Sequence, residues 1–165
     1  MDKEGGKPFL RVVIRGLTED DRGNPVVLLK STEAEDVLPI WIGHTEALSI
    51  RLHLEGESLE RPLTLDLLRT ALESLGVKVV KVAVTELRDN TFYAEIHLQK
   101  NGDLYVIDAR PSDSIALALR AEAPIFVAED VFQKHKRTIQ DAAGSESDTD
   151  EDLRRYLRDL DPGDF

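Results

Sequence analysis

Two kinds of hydrophobic spacing alternate along this chain and predict a mixture of strands and helices. Apolar positions recur with helical period in residues 44–56, 61–76 and 111–123. Short β-branched and aromatic runs typical of strands are FLRVVIRGL (9–17), VVLLK (26–30), VLPIWIG (37–43), VVKVAVTEL (79–87), TFYAEIHLQ (91–99) and DLYVIDA (103–109). The pattern therefore predicts an α+β fold.

Hydroxyl and glycine residues indicate where the helices begin and end. Thr45, Thr64 and Ser112 precede apolar helical positions, and their hydroxyl groups suit N-caps. Gly56 and Gly76 follow the first two helices, where a left-handed residue usually ends a helix.

The order strand, strand, strand, helix occurs twice. At an offset of 67 residues, TEALSIRL (45–52) matches SDSIALAL (112–119) in residue type at most positions. We therefore predict one domain built from a duplicated β-β-β-α unit, residues 9–56 and 79–121, with the helix of 61–76 between them. Chance similarity between apolar strands is the alternative, because such strands resemble one another in any case.

Two further features complete the predicted domain, which spans residues 1–137. Lys100-Asn101-Gly102 separates two strand-like runs and predicts a hairpin. APIFVAEDVF (123–132) predicts a short last strand, and Pro124 at its start favours the edge of a sheet.

The chain changes character after residue 137. DAAGSESDTDED (141–152) has six acids and no bulky apolar residue, so we expect 138–152 to be a flexible acidic linker. Residues 153–165 then predict a short amphipathic helix and tail, whose apolar face is formed by Leu153, Tyr156, Leu157 and Leu160. This face favours docking on a partner copy, so we expect a homo-oligomer.

Composition narrows the possible partners and the compartment. The net charge is −11, which argues against tight, nonspecific binding of nucleic acid. The chain has no cysteine, so thiolate metal sites are excluded and a reducing compartment is favoured. No apolar run approaches the ~18 residues of a membrane span, and the start has no secretory h-region. We expect a cytoplasmic protein with no membrane partner.

The stretch YVIDARPSDSIALAL (105–119) concentrates the candidate chemistry. Asp108, Arg110, Ser112 and Asp113 lie between an apolar strand and an apolar helix, both expected to be buried. Local structure is one explanation, with Ser112 as cap, Asp113 in the first turn and Asp108 paired with Arg110. The other is an anion site, because a helix start beside an arginine binds phosphate well. Under this second hypothesis Asp108, Arg110 and Asp113 are catalytic.

Two acids at other helix starts extend this hypothesis. Glu46 occupies the position equivalent to Asp113 in the repeat, and Asp66 lies near the start of the middle helix. We predict that both converge with Asp108 as catalytic residues, and that Asp108, Glu46 and Asp113 hold a divalent cation, Mg²⁺ or Mn²⁺. Acids are also common in first helical turns for electrostatic reasons alone.

Four residues are candidates for substrate binding. Arg61 precedes a proline in a short exposed loop, and His44 follows a glycine in a strand-to-helix turn, so both are expected to be accessible. Tyr93 opens a strand and Ser112 opens a helix. The single tryptophan, Trp41, is expected to lie in the core.

Five ordered motifs resemble one known family. LPIWIGHTEALSI, RPLTLDLL, LGVKVVKV, TFYAEIHL and IDARPSDSIALALR together are similar to the bifunctional nuclease domain family, over roughly residues 9–132. The resemblance implies an α+β fold and hydrolysis of RNA or DNA, with a cation activating water and Arg110 and Arg61 offsetting charge on the phosphate. The resemblance departs at Leu65, where many family members have a histidine within a Thr-His-Asp triplet and this chain has Thr64-Leu65-Asp66.

The alternative function belongs to another class. The acidic balance and Leu65 favour a non-catalytic, oligomeric binding module for a small anionic ligand or a protein partner.

Overall fold

A computed structural model describes residues 2–4 and 6–137, with side chains from residue 6 onward. The linker and the helix predicted for 138–152 and 153–165 lie outside the described residues. The elements are β1 (Asp2–Glu4), β2 (Lys7–Glu19), β3 (Pro25–Ser31), β4 (Val37–Trp41), α1 (His44–Leu54), α2 (Thr64–Ser74), β5 (Lys78–Arg88), β6 (Thr91–Lys100), β7 (Asp103–Ala109), α3 (Pro111–Ala121), β8 (Ile125–Ala128) and α4 (Glu129–His135).

The strands form one mixed sheet, which confirms the predicted α+β domain. Its order is β4-β3-β2-β8-β5-β6-β7, with β1 paired to β2. The succession β-β-β-α occurs twice in the chain, as β2-β3-β4-α1 and β5-β6-β7-α3. That the two units superpose as a true duplication stays a prediction.

The position predicted for the last strand was wrong. β8 lies at the centre of the sheet, antiparallel to β2 and parallel to β5, and not at an edge. Pro124 is tolerated because it lies one residue before the strand, where its carbonyl oxygen accepts a hydrogen bond from the Val82 amide at 3.1 Å. The sheet therefore loses no hydrogen bond because of the missing proline N–H. Helix α4, which directly follows β8, was not predicted.

The helices cover the sheet and bury one main core. α1 contacts α3 and β3, α3 also contacts β5 and β6, and α2 packs on α3. Apolar side chains of the strands and of α1 and α3 meet in this core, and those exposed by 2 % or less include Leu17, Val27, Leu29, Leu38, Ile50, Ile115, Leu117 and Val127. Within the described residues, no helix is long and apolar enough to cross a membrane.

The predicted N-caps were wrong, whereas the predicted helix ends were right. The residues at the N-cap positions are Gly43, Leu63 and Arg110, instead of Thr45, Thr64 and Ser112. An acid in the first turn takes over in α2, where the Asp66 carboxylate accepts a hydrogen bond from the Leu63 amide at 3.0 Å. Gly56 and Gly76 have positive φ just after α1 and α2, as predicted.

Strand β7 differs from the buried element that its sequence suggested. Tyr105, Val106 and Ile107 are each about half exposed, and Leu104 is more exposed still. β7 is the last strand of the sheet, and α3 packs over β5 and β6. The Asn101-Gly102 hairpin that leads into β7 is confirmed, and both turn residues have positive φ.

Candidate functional site

The starts of helices α1 and α3 meet at one arginine. Arg110 is the N-cap residue of α3, and its Nε donates a hydrogen bond to Asp113 Oδ2 at 3.0 Å. Its Nη2 donates to Glu46 Oε1 at 2.9 Å, in the first turn of α1. The structure therefore brings together Glu46, Arg110 and Asp113, and the expected Asp108–Arg110 pair is replaced by these two contacts.

The guanidinium group remains accessible although it has two partners. The Arg110 side chain is 65 % exposed, whereas Glu46 beneath it is 20 % exposed. The hydrogen bond to Asp113, followed by the weaker influence of Glu46, raises the pKa of Arg110 above its ordinary value. The group is a fixed positive charge with unfilled donor capacity, held in place by two carboxylates.

Gly43 makes room for one of these carboxylates. The Glu46 side chain folds back over Gly43, so a Cβ atom at this position would overlap Glu46 Oε2. A residue without a side chain at the N-cap of α1 therefore permits Glu46 to reach Arg110.

A cleft of about 440 Å³ opens beside the guanidinium group. The end of β4, the β5–β6 turn and the start of α3 form its walls. The lining residues are Asn24, Ile40, Trp41, Ile42, Gly43, Asn90, Thr91, Phe92, Arg110, Pro111 and Ser112. Of the predicted site residues, Arg110 and Ser112 line this cleft.

Trp41 was predicted to lie in the core, and this was wrong. Its side chain lines the cleft and is 57 % exposed. The indole Nε1 donates a hydrogen bond to Asp20 Oδ2 at 3.0 Å, which fixes the ring at the surface. A tryptophan in an apolar strand gives no sequence signal of exposure, because the burial of its ring depends on which elements cover β4.

Asp20 is an organised anchor for this tryptophan. Its carboxylate accepts hydrogen bonds from the backbone amides of Asn24 and Arg22, and from the Asn24 side chain. The Asn24 amide, and after it Trp41, hold the pKa of Asp20 well below its ordinary value. The acceptor of the Trp41 bond is therefore charged across the ordinary pH range.

Asp108 does not join the cluster around Arg110. It pairs across the sheet with Glu95, while neighbouring Ile107 pairs with buried Ile96. Opposed residues share a sheet face and adjacent residues alternate, so Asp108 points away from the core side. Over residues 6–137, no three His, Asp or Glu side chains form a group suited to a metal ion.

Asp66 takes part in a different contact. Its Oδ1 accepts a hydrogen bond from Arg120 Nε at 2.7 Å, near the end of α3. Burial acts to raise the pKa of Asp66, but the hydrogen bonds from Arg120 and from the Leu63 amide outweigh it and leave the pKa below its ordinary value. The structure thus places Asp66 in an ion pair between α2 and α3.

The remaining candidates do not line the cleft. Arg61 and His44 are exposed, as predicted, but neither lines the cleft. The Tyr93 ring packs under the Arg88 guanidinium group, 4.4 Å from ring centroid to Cζ. Leu65, at the departure from the family pattern, packs partly buried against the core.

Comparisons with known proteins support the family resemblance of the sequence. A family model described as the bifunctional nuclease domain matches residues 27–140. An uncharacterized protein of Mycobacterium tuberculosis is 37 % identical over 153 residues, covering 89 % of this chain and 92 % of that protein.

More distant similarity extends to plant proteins. A bifunctional nuclease of Oryza minuta is 26 % identical over 143 residues, covering 84 % of this chain and 43 % of that protein. Bifunctional nuclease 2 of Arabidopsis thaliana is 29 % identical over 94 residues, covering 55 % of this chain and 29 % of that protein. The family match spans more than half of the sequence, and this chain therefore belongs to the bifunctional nuclease domain family.

Proposed function

We propose that this protein is a cytoplasmic nuclease that hydrolyses phosphodiester bonds of RNA, DNA or both in the cleft beside Arg110. Membership of the bifunctional nuclease domain family supports the reaction class. The observation that carries the choice of site is the exposed Arg110 guanidinium group, which is held by Glu46 and Asp113 at the mouth of a cleft.

Arg110 and the start of α3 suit one phosphate group together. The first helical hydrogen bond of α3 runs from the Ser114 amide to the Arg110 carbonyl oxygen. The amides of Ser112 and Asp113 therefore precede the helical ladder, as donors do at helix starts that bind anions. A phosphate placed between these donors and the guanidinium group gains charge-assisted hydrogen bonds, which strengthen as negative charge develops.

Metal assistance is part of the proposal and depends on the substrate. The described carboxylates form no group of three suited to a metal ion, and Glu46 and Asp113 both contact Arg110. Mg²⁺ commonly binds through one or two carboxylates together with substrate phosphates. Glu46 and Asp113 would supply those carboxylates, and the ion would offset phosphate charge once bound.

The decisive experiment measures nuclease turnover of the full chain and two variants. Arg110→Ala is expected to lower turnover about 100-fold or more, as loss of one preorganised charge-stabilising donor does. Because Arg110 is exposed, the loss of unfolding free energy should stay below about 1 kcal/mol. Asp108→Asn tests the predicted cation ligand on β7, and Arg11→Ala removes an exposed arginine outside the cleft as the matched control.

The outcomes separate the parts of the proposal. Unchanged turnover in a folded Arg110→Ala variant would remove this cleft from the mechanism, and unchanged turnover in Asp108→Asn would remove Asp108. Activity that resists a chelator would exclude the cation. A preparation free of host nucleases that shows no turnover on RNA or DNA would refute the nuclease itself.

A second candidate function is an oligomeric binding module without catalysis. The exposed apolar strand β7 favours it, because Tyr105, Val106 and Ile107 are half exposed on a strand that lies at the edge of the sheet formed by the described residues. Antiparallel pairing of two copies centred on Val106 would set Tyr105 against Ile107 of the other copy. Light scattering should then give a dimer mass that Val106→Lys reduces to a monomer. A wild-type monomer at working concentrations would exclude this assembly.

A further inference from the structure

The cleft beside Arg110 presents an aromatic surface that the proposed phosphate contacts do not use. Trp41 is 57 % exposed and lines the cleft, and its only polar atom is already bonded to Asp20. The indole edge is therefore satisfied, and the π-face is the part of the side chain that remains available. An exposed tryptophan held in one orientation presents a stacking surface at little entropic cost on binding.

The orientation of Trp41 is fixed by an acceptor that is itself held by hydrogen bonds. Asp20 accepts hydrogen bonds from the Asn24 and Arg22 amides as well as from the indole, so the acceptor itself cannot turn away. The ring is tied to the turn between β2 and β3 while its own backbone belongs to β4. Two separate chain segments therefore set its position.

The other lining residues suit a flat heterocycle better than a purely apolar ligand. Phe92 adds a second aromatic side chain, whereas Asn90 and Thr91 add an amide and a hydroxyl group to the lining. The volume of about 440 Å³ falls within the usual range for small-molecule pockets, roughly 300–1,000 Å³. Stacking faces, hydrogen-bonding groups and one cation together are the features with which proteins hold a nucleotide of an unpaired strand.

We infer that Trp41 stacks on an unpaired base whose phosphate is bound by Arg110, so that the ligand is a single-stranded nucleic acid. Bases of a duplex are covered on both faces by their neighbours and cannot stack on a side chain without being flipped out. The inference rests on the proposed function for the identity of the ligand, but it concerns binding and does not require turnover.

The protein carries its own probe for this contact. Trp41 is the single tryptophan of the full sequence, so intrinsic fluorescence reports on this ring alone. In the presence of chelator, and with a phosphorothioate backbone to prevent cleavage, a single-stranded oligonucleotide should quench the emission in a saturable manner. The matched duplex should quench it much less at equal concentration.

Affinity in the variants is measured by anisotropy of a labelled single strand. Trp41→Ala should weaken binding by between about 5- and 150-fold, the range that base stacking on an aromatic side chain supplies. Trp41→Phe keeps an aromatic face and should remain within a few-fold of wild type. Val13→Ala removes another exposed apolar side chain, outside the cleft lining, and should leave the dissociation constant unchanged.

Each outcome bears on one proposal. Binding of Trp41→Ala within twofold of wild type, equal quenching by duplex and single strand, or the absence of quenching would overturn the stacking role. A mononucleotide that binds as tightly as the oligonucleotide would contradict the inference that the ligand is a single-stranded nucleic acid. If wild type binds as expected but never cleaves, the nuclease proposal fails while the stacking role stands. If wild type cleaves and Trp41→Ala cleaves equally well, the nuclease proposal stands and the stacking role fails.

Discussion

Helix α3 has an arginine at each end, and the two arginines differ in solvent exposure and in the number of hydrogen bonds that they donate. Arg110 at the N-cap is 65 % exposed and contacts two carboxylates at a cleft. Arg120 in the last turn is 4 % exposed. Both contact an acid from the first turn of another helix, Glu46 of α1 or Asp66 of α2.

The difference lies in how many donors each arginine has already used. Arg120 donates to Asp66 and to the carbonyl oxygens of Ala116 and Ser49, so it joins three helices and has little left for a ligand. Arg110 has two carboxylate contacts and an open side facing the cleft. An arginine–carboxylate pair therefore indicates function only where donor capacity and solvent access remain.

Replacing the structural arginine should cost more stability than any of the other proposed substitutions. Arg120→Ala removes three hydrogen bonds and leaves partly buried Asp66 without its partner, so the free energy of unfolding should fall by about 3 kcal/mol. Urea unfolding followed by circular dichroism measures the loss. The matched variant Arg110→Ala, at the other end of the same helix, should lose under about 1 kcal/mol.

Equal losses of stability in the two variants would contradict the distinct roles of Arg110 and Arg120, because exposure would then not separate the structural arginine from the functional one. If Arg120→Ala does not fold, Arg120→Lys keeps the charge but gives up the planar fork, and it should be folded but less stable than wild type.

The sequence predicted the elements well because their signals are local. β-branched runs gave β2 to β7 within two residues at each end, and Asn101-Gly102 gave the hairpin through its positive φ values. These features depend on spacing within one or two elements. Glu46 and Asp113, at equivalent positions of the predicted repeat, both contact Arg110, but the prediction was that Glu46 would meet Asp108, and Asp108 does not join them.

The features that the sequence did not predict depend on distant neighbours. β8 is central because β2 and β5 pair with it on either side, and β7 is exposed because no other described strand pairs with its outer edge. Asp66 and Arg120 lie 54 residues apart and meet only when α2 packs on α3. The Trp41 indole donates its hydrogen bond to Asp20, on the turn before β3, and no periodicity encodes that contact.

An intermediate effect tests the Asp66–Arg120 pair through its pH dependence. The pKa of Asp66 is depressed in the folded protein, so its contribution to stability is present above the unfolded pKa of about 3.9 and is lost as pH falls through the folded value. Asp66→Asn should therefore melt below wild type at neutral pH, and the difference in Tm should shrink below about pH 4. A gap that widens in acid would show that Asp66 is not held charged by Arg120.

Gly43→Ala should change the affinity of Arg110 for a phosphate only slightly. A Cβ atom in Gly43→Ala occupies the place of the Glu46 carboxylate, which is the end of a flexible side chain and can move away. Arg110 then loses one of its two acidic partners but keeps Asp113. Because exposed ion pairs are worth roughly 0.2–1 kcal/mol, a phosphate that no longer competes with Glu46 should bind about 1.4- to 5-fold more tightly. Anisotropy of a labelled single strand measures this change, and Glu46→Gln should reproduce it without altering Gly43. Weaker binding in both variants would show that Glu46 orients Arg110 for its ligand and does not restrain it.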